Sequence, residues 1–209
     1  MLGSLFSSGR GPSGATIPLF PLRAVLFPGG LLPLKVFEQR YIDMTKACMK
    51  DGKPFGVVMI TGGDEVAGPG GTPSFADIGT LATITGWDMP ELGILHLATR
   101  GLTRFQVRGH RVQHDQLVVA EVSDIPDEPR VKLPSGAEPL ARLLELAAAR
   151  VGAQNFPATQ DFVDASCVGY RLAELLPLPL SIKQSMLEIN DAGVRLSVLR
   201  RFLEQQGVL

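Results

Sequence analysis

Two cysteines, three histidines and a run of four arginines are the residues from which a reactive or charged site would be built. Cys48 and Cys167 stand alone, with no CxxC partner, which argues against a zinc ribbon and against a disulfide framework. Both fall on apolar stripes of expected helices, where a thiol behaves as a small hydrophobe. His110 and His114 have the spacing by which a helix presents two imidazoles to a metal. Their segment reads as strand and turn, however, and it lacks the HExxH glutamate. Gly62 to Gly71 (GGDEVAGPGG) is glycine-rich without the GxxxxGK[ST] lysine or the GxGxxG spacing. It is expected to be a mobile surface loop and a candidate lid. The expectation is therefore no catalytic residue, no metal and no cofactor. Arg100, Arg104, Arg108 and Arg111 are more suggestive: on a strand Arg104 and Arg108 share one face, with Phe105 and Val107 on the other. Such a basic ridge suits RNA phosphates. It lies in a segment, Ala15 to Glu128, with ten basic and thirteen acidic residues, so a solvated face with internal ion pairs is the favoured reading and nucleic acid is a disfavoured partner. Trp87, the single tryptophan, falls at the end of an expected strand beside Met89-Pro90, where it would report on a nearby crevice.

The elements that must hold these residues emerge from periodicity and breakers. At 209 residues, 45% hydrophobic and 20% charged, the chain suits one domain of good size or two small ones sharing an interface. A net charge of −1 provides no global field for nucleic acid or an anionic membrane. No run reaches the ~18 apolar residues of a transmembrane helix, and Met1 to Gly14 reads as a loose tail, not a signal peptide, so a cytoplasmic location is expected. Six Pro and Gly residues divide Thr16 to Phe37 into short strands, with Pro28-Gly29-Gly30 as a tight reversal. Glu38 to Lys50 has helical period, with Tyr41, Met44, Thr45 and Cys48 on one face and Gly52 at the left-handed C-cap position. Strands are expected at Phe55–Ile60, Thr80–Trp87, Ile94–Thr99, Thr103–Arg108 and Leu117–Val122, with turns at Met89-Pro90, Gly93 and Gly101. Closure into a small barrel would remove the edges that such short strands leave.

A proline-rich, charged stretch, Ile125 to Pro134, marks a boundary, after which the pattern is helical. Ser135-x-x-Glu138 opens a first helix along Leu140, Leu143, Leu144, Ala147, Ala148 and Val151. Thr159 is expected to cap a second helix running to Leu175, and Ser181-x-x-Gln184 to open a third. Asn190 is expected to cap a last one, with Val194, Val198, Leu199, Phe202 and Leu203 on its buried face.

Several separated motifs then occur in order: IPLFPLRAVLFPGGLLPLKVFEQRY (17–41), FGVV (55–58), GTLATI (79–84), GLTRFQV (101–107) and LAELLPLPLSIKQSMLEINDAGVRLSVLRRFL (172–203). Together they resemble the Lon protease N-terminal, or substrate-binding, domain family. Val36, where isoleucine is common, and the glycine-rich loop are mild departures. The added tail over 1–14 is a third departure; the resemblance implies an α+β fold, a PUA-like β-barrel with one inserted helix over 15–128 followed by a C-terminal helical subdomain over 129–209. In the full protease this domain precedes an AAA+ ATPase and a Ser-Lys peptidase; this chain carries no Walker motif and resembles the stand-alone bacterial form. The likeness implies a non-enzymatic module that binds unfolded or degron-like polypeptide, with a separate protease or chaperone as partner. Glu38, Arg40 and Tyr41 match the family's FE-x-RY signature, and Arg104 and Phe105 its RF. With Trp87 these are the candidate binding residues, although a structural role is favoured for the signature positions. The expected binding groove lies where barrel and helices meet.

Overall fold

Proline and glycine do divide the first apolar stretch into two strands, β1 (Ala15–Leu22) and β2 (Leu31–Val36). The computed structural model describes residues 14–64, 73–152, 156 and 161–209. After β2 come helix α1 (Gln39–Asp51), strands β3 (Phe55–Gly62), β4 (Ser74–Phe75), β5 (Ile78–Glu91), β6 (Ile94–Val112) and β7 (Val118–Asp124). Helices α2 (Glu138–Val151), α3 (Ala165–Leu175), α4 (Leu180–Glu188) and α5 (Ala192–Gln205) complete the chain's order. The sheet runs β1-β7-β6-β5-β3-β4, and β1 also pairs parallel with β3, Leu19 opposite Gly56. That parallel pairing joins β1, β7, β6, β5 and β3 into a ring, while β2 adds to the first half of β6. The fold is thus a mixture of strands and helices in which a closed ring of sheet precedes a group of helices.

The first helix matches its periodicity closely. Arg40, Tyr41, Ile42, Met44, Thr45 and Cys48 are buried, and Gly52 ends it at φ 63°, a left-handed conformation that costs glycine no Cβ strain. Inside the ring, Ile17, Leu19, Val58, Leu81, Phe105, Val118, Ala120 and Val122 form one apolar cluster. A second joins α1 to the sheet. The third belongs to the helices, yet Phe27 from the loop between β1 and β2 is buried in it.

Several boundaries differ from the sequence expectation. Gly101 is not a turn: β6 runs through it without a break. Its missing side chain lets the turn after Phe27 press against the strand, where Gly29 N–H donates to Gly101 O (2.9 Å) and Gly101 N–H to Gly30 O (2.9 Å). Any Cβ at Gly101 would overlap the Phe27 carbonyl. Met89 and Pro90 likewise lie within β5, and the reversal falls on Leu92-Gly93. Asp164 and Asp191 cap α3 and α5, accepting from Cys167 N–H (2.9 Å) and Val194 N–H (2.8 Å), whereas Asn190 does not cap. Carboxylates are equally good N-caps, so neighbouring Asn and Asp cannot be told apart by type. Neither Ser135 nor Ser181 caps: α2 begins after Ala137 and α4 after Pro179, without side-chain caps. Thr159, the tail up to residue 13, and residues 65–71 of the expected lid lie outside the described residues.

Candidate functional site

The FE-x-RY residues act together at the start of α1. Glu38 sits at the N-cap position and pairs with Arg40 (2.9 Å). Arg40 also donates to Gln116 O (2.9 Å) in the β6–β7 turn and lies over the Tyr41 ring at 4.4 Å. Tyr41 in turn stacks on Phe20 of β1, centroids 4.0 Å apart. The motif therefore clamps the helix to a strand and to a hairpin, and its charged groups face inward. Phe105 is buried in the ring cluster, a core residue.

Arg104 and Arg108 do not form a basic ridge. Between Val107 and Gly109 the register of β6 against β7 shifts, leaving Arg108 as the extra residue of a bulge, turned outward to donate to Ser123 Oγ (2.8 Å). Arg104 is 3% exposed and points into the helices, donating to Leu187 O (2.7 Å) and Ile189 O (3.1 Å). It lies 3.6 Å from Glu128, which is the centre of the molecule's main polar cluster. Glu128 accepts from Ser166 Oγ (2.6 Å), Tyr170 Oη (2.8 Å) and Arg195 Nη1 (3.0 Å), with a second, short contact to Arg195 Nη2. Arg195, at 0% exposure, further donates to Met186 O and Ile189 O and stacks over Tyr170 at 3.8 Å. Burial pushes the Glu128 carboxyl up, but the hydrogen bonds from Arg195, Ser166 and Tyr170 outweigh it and hold it below the ordinary carboxylate value. Burial raises the Tyr170 hydroxyl, which stays a donor. Sequence reading misses Glu128 and Arg195. Periodicity treats arginine as a solvent residue on α5, whereas the buried face carries Ala192, Arg195, Leu196, Leu199 and Leu203 and leaves Val194 and Val198 exposed.

Further pins cross the same junction: Arg171, paired with Glu174 (2.5 Å), donates to Pro28 O (2.7 Å), and Gln184 Nε2 to Ile78 O (2.9 Å). What remains there is a cleft of about 220 Å³ walled by Arg100, Arg104, Glu128, Tyr170 and Arg171 among others. It is small and walled mostly by charged and polar residues, unlike the apolar groove expected at that junction. A larger cavity of about 680 Å³ lies elsewhere, between α1 and the ring, with Ile17, Met44, Cys48, Leu81, Leu117 and Val119 in its walls and Asp51, Lys53, Arg111 and Asp124 around it. Burial raises the Cys48 thiol, which makes it a poor nucleophile in this wall. Trp87 stands apart from both. It is 61% exposed on the β5–β6 arm, near Met89 and Leu92, the last 99% exposed. Among the described residues no group of acidic, histidine and cysteine side chains could hold a metal ion, and no helix is long and apolar enough to cross a membrane.

Residues 16–205 match the family model described as the ATP-dependent protease La (LON) substrate-binding domain. The chain belongs to that family. Among solved structures, a Lon N-terminal domain protein from Xanthomonas campestris is 36% identical with a TM-score of 0.74, covering 90% of this chain and 98% of that one. The N-terminal domain of a Mycobacterium avium complex Lon protease, at 17% identity and TM-score 0.60, covers 88% and 96% and shares the fold. Curated relatives include a Lon protease of Anaeromyxobacter dehalogenans and Lon protease 2 of Myxococcus xanthus, each 28% identical over more than nine-tenths of this chain. The chain spans about a quarter of their length, 23% and 24%, so the LON match covers the substrate-binding part and not the catalytic remainder.

Proposed function

We propose that this LON-family chain is a recognition module, without ATPase or peptidase activity, that binds unfolded or degron-like polypeptide in the cytoplasm through a PUA-like barrel and passes it to a separate protease or chaperone. The observation that carries the reading is the match of residues 16–205 to the LON substrate-binding domain. The ring of sheet and the 680 Å³ cavity support it, because a concave apolar wall with charged groups around it suits an unfolded chain, whose apolar side chains need burial while its backbone stays wet. The junction cleft is a poorer site, since its polar groups are already engaged with one another. Calorimetric titration with carboxymethylated casein tests the reading, with a structured RNA in parallel. Saturable binding of casein is expected, and Ala47→Phe, which narrows the cavity from an exposed position on α1, should weaken it by about tenfold or more without lowering Tm. Binding of the RNA alone, falling steeply with salt, would overturn it.

A further inference from the structure

Along β5, Thr80, Leu81 and Ala82 pair with Val57, Gly56 and Phe55 of β3. There the lane beside β5 empties, because the chain preceding Phe55 leaves the sheet through Lys53 and Pro54 to reach α1. On its other side β5 remains paired with β6 as far as Glu91. From Thr83 to Trp87, therefore, β5 has a sheet partner on one side only among the described strands. A trough of about 290 Å³ occupies the empty lane, walled by Thr83–Trp87 on the sheet and by Cys48, Met49, Gly52 and Lys53 at the end of α1.

We infer that this lane receives a stretch of unfolded polypeptide as an added strand, antiparallel to β5 and continuing the line of β3. The inference rests on the polypeptide-recognition reading above and names how the client is held. An open strand edge is a row of backbone donors and acceptors, and an extended backbone is the ligand that matches it without regard to side-chain sequence. Folded proteins blunt such edges with proline, lysine or a covering side chain. The other open edge of the arm, β2, has all three: Pro33 lacks a donor, Lys35 is exposed, and the Leu31 N–H is taken by Glu174. The β5 edge carries neither proline nor a charge of its own from Thr83 to Trp87, although Lys53 stands across the trough and the pairing with β6 shifts register between Ile84 and Gly86. Alternate side chains of an added strand point to one face, where Met49 and the half-open Trp87 ring give apolar contact. The trough and the larger cavity share Cys48 and Lys53 in their walls, so one client chain can occupy both.

Ten-residue peptides tiled across β-casein are the probe. For a peptide that binds, single backbone N-methylations are walked along it, and amide hydrogen exchange of the protein is measured with and without it. Methylation at every second residue should weaken binding by about tenfold while the intervening positions change little, since only one parity faces β5. Exchange should slow over Thr83–Trp87. Binding with no alternation, and with protection around Met44–Lys53 and Leu117–Val122 only, would overturn the added strand and leave the recognition reading standing. Absence of binding by any peptide would overturn both. Dimers in sedimentation whose Thr83–Trp87 amides are protected without peptide would assign the edge to a second copy instead.

Discussion

Losing the Arg195 guanidinium would leave the Glu128 carboxylate buried beside Tyr170 and Ser166 with its main counter-charge gone, would take its side-chain donor from the Met186 carbonyl and would leave that of Ile189 to Arg104 alone. Breaking a buried pair from one side costs about 3–5 kcal/mol. Arg195→Met is expected to lower stability by that order in urea denaturation, whereas Arg200→Met, which removes a half-exposed pair with Glu204, should change it by less than about 1 kcal/mol. Glu128 also sets an acid dependence. Its folded pKa lies below the ordinary value of 4.5, so the native state holds its proton less tightly than the unfolded chain. The stability this confers is fully present above 4.5 and is lost as pH falls through the folded value. Glu174, raised by burial, acts with the opposite sign, so the two profiles must be compared by difference. Glu128→Gln should be less stable at neutral pH, and its deficit should shrink in thermal melts taken from pH 5 downward; a constant deficit would show that Glu128 is not held ionised. None of this cluster except Arg104 was legible in the sequence. Hydrophobic periodicity assigns an arginine to solvent, and two valines beside Arg195 draw the inferred face of α5 one position away.

At the scale of elements, the long strand β6 organises the sheet, since β2, β5 and β7 all pair with it. Its two glycines, Gly101 and Gly109, make a paired test. Gly101 faces the Phe27 backbone with no room for a methyl group, while nothing lies within 4 Å of a Cβ at Gly109. Gly101→Ala is expected to destabilise by about 1–3 kcal/mol through overpacking, and Gly109→Ala to stay within about 0.5 kcal/mol, both read by urea denaturation. The sequence showed that a helix and some six strands exist, because α1 carries an unbroken helical period and β3 a continuous apolar run. It could not show that Gly101 continues a strand. Locally, a glycine that permits a turn and one that permits a close approach are the same residue, and only the distant Phe27 turn distinguishes them. The bulge that turns Arg108 outward was invisible for the same reason: a bulge is a mismatch between two strands, and period-two reasoning sees one at a time.

At the scale of the whole molecule, the strands and helices share side chains across their boundary: Phe27 lies in the helical cluster, 5.8 Å from Tyr170, and Arg104 is bonded to the carbonyls that end α4. Unfolding is therefore expected to be one cooperative event. Trp87 fluorescence reports the sheet arm and far-ultraviolet dichroism mainly the helices, and the two should give coincident melting curves; separated transitions would show that residues 15–128 and 129–209 unfold independently. The family resemblance reached the mixture of strands and helices without the contacts that enforce it, because the motifs lie at the contact points but do not say what they touch. The ring also has a consequence in time. β1, the first strand, pairs with β7, the last, and Arg104 finds its acceptors 83 and 85 residues further along the chain. During synthesis all of these must wait for their partners. Until α5 emerges, the growing chain displays bare strand edges, unburied leucines and an uncompensated Glu128. For that interval it is chemically the same kind of object as the polypeptides it is proposed to hold, and at high expression a finished molecule is the nearest binder an unfinished one will meet.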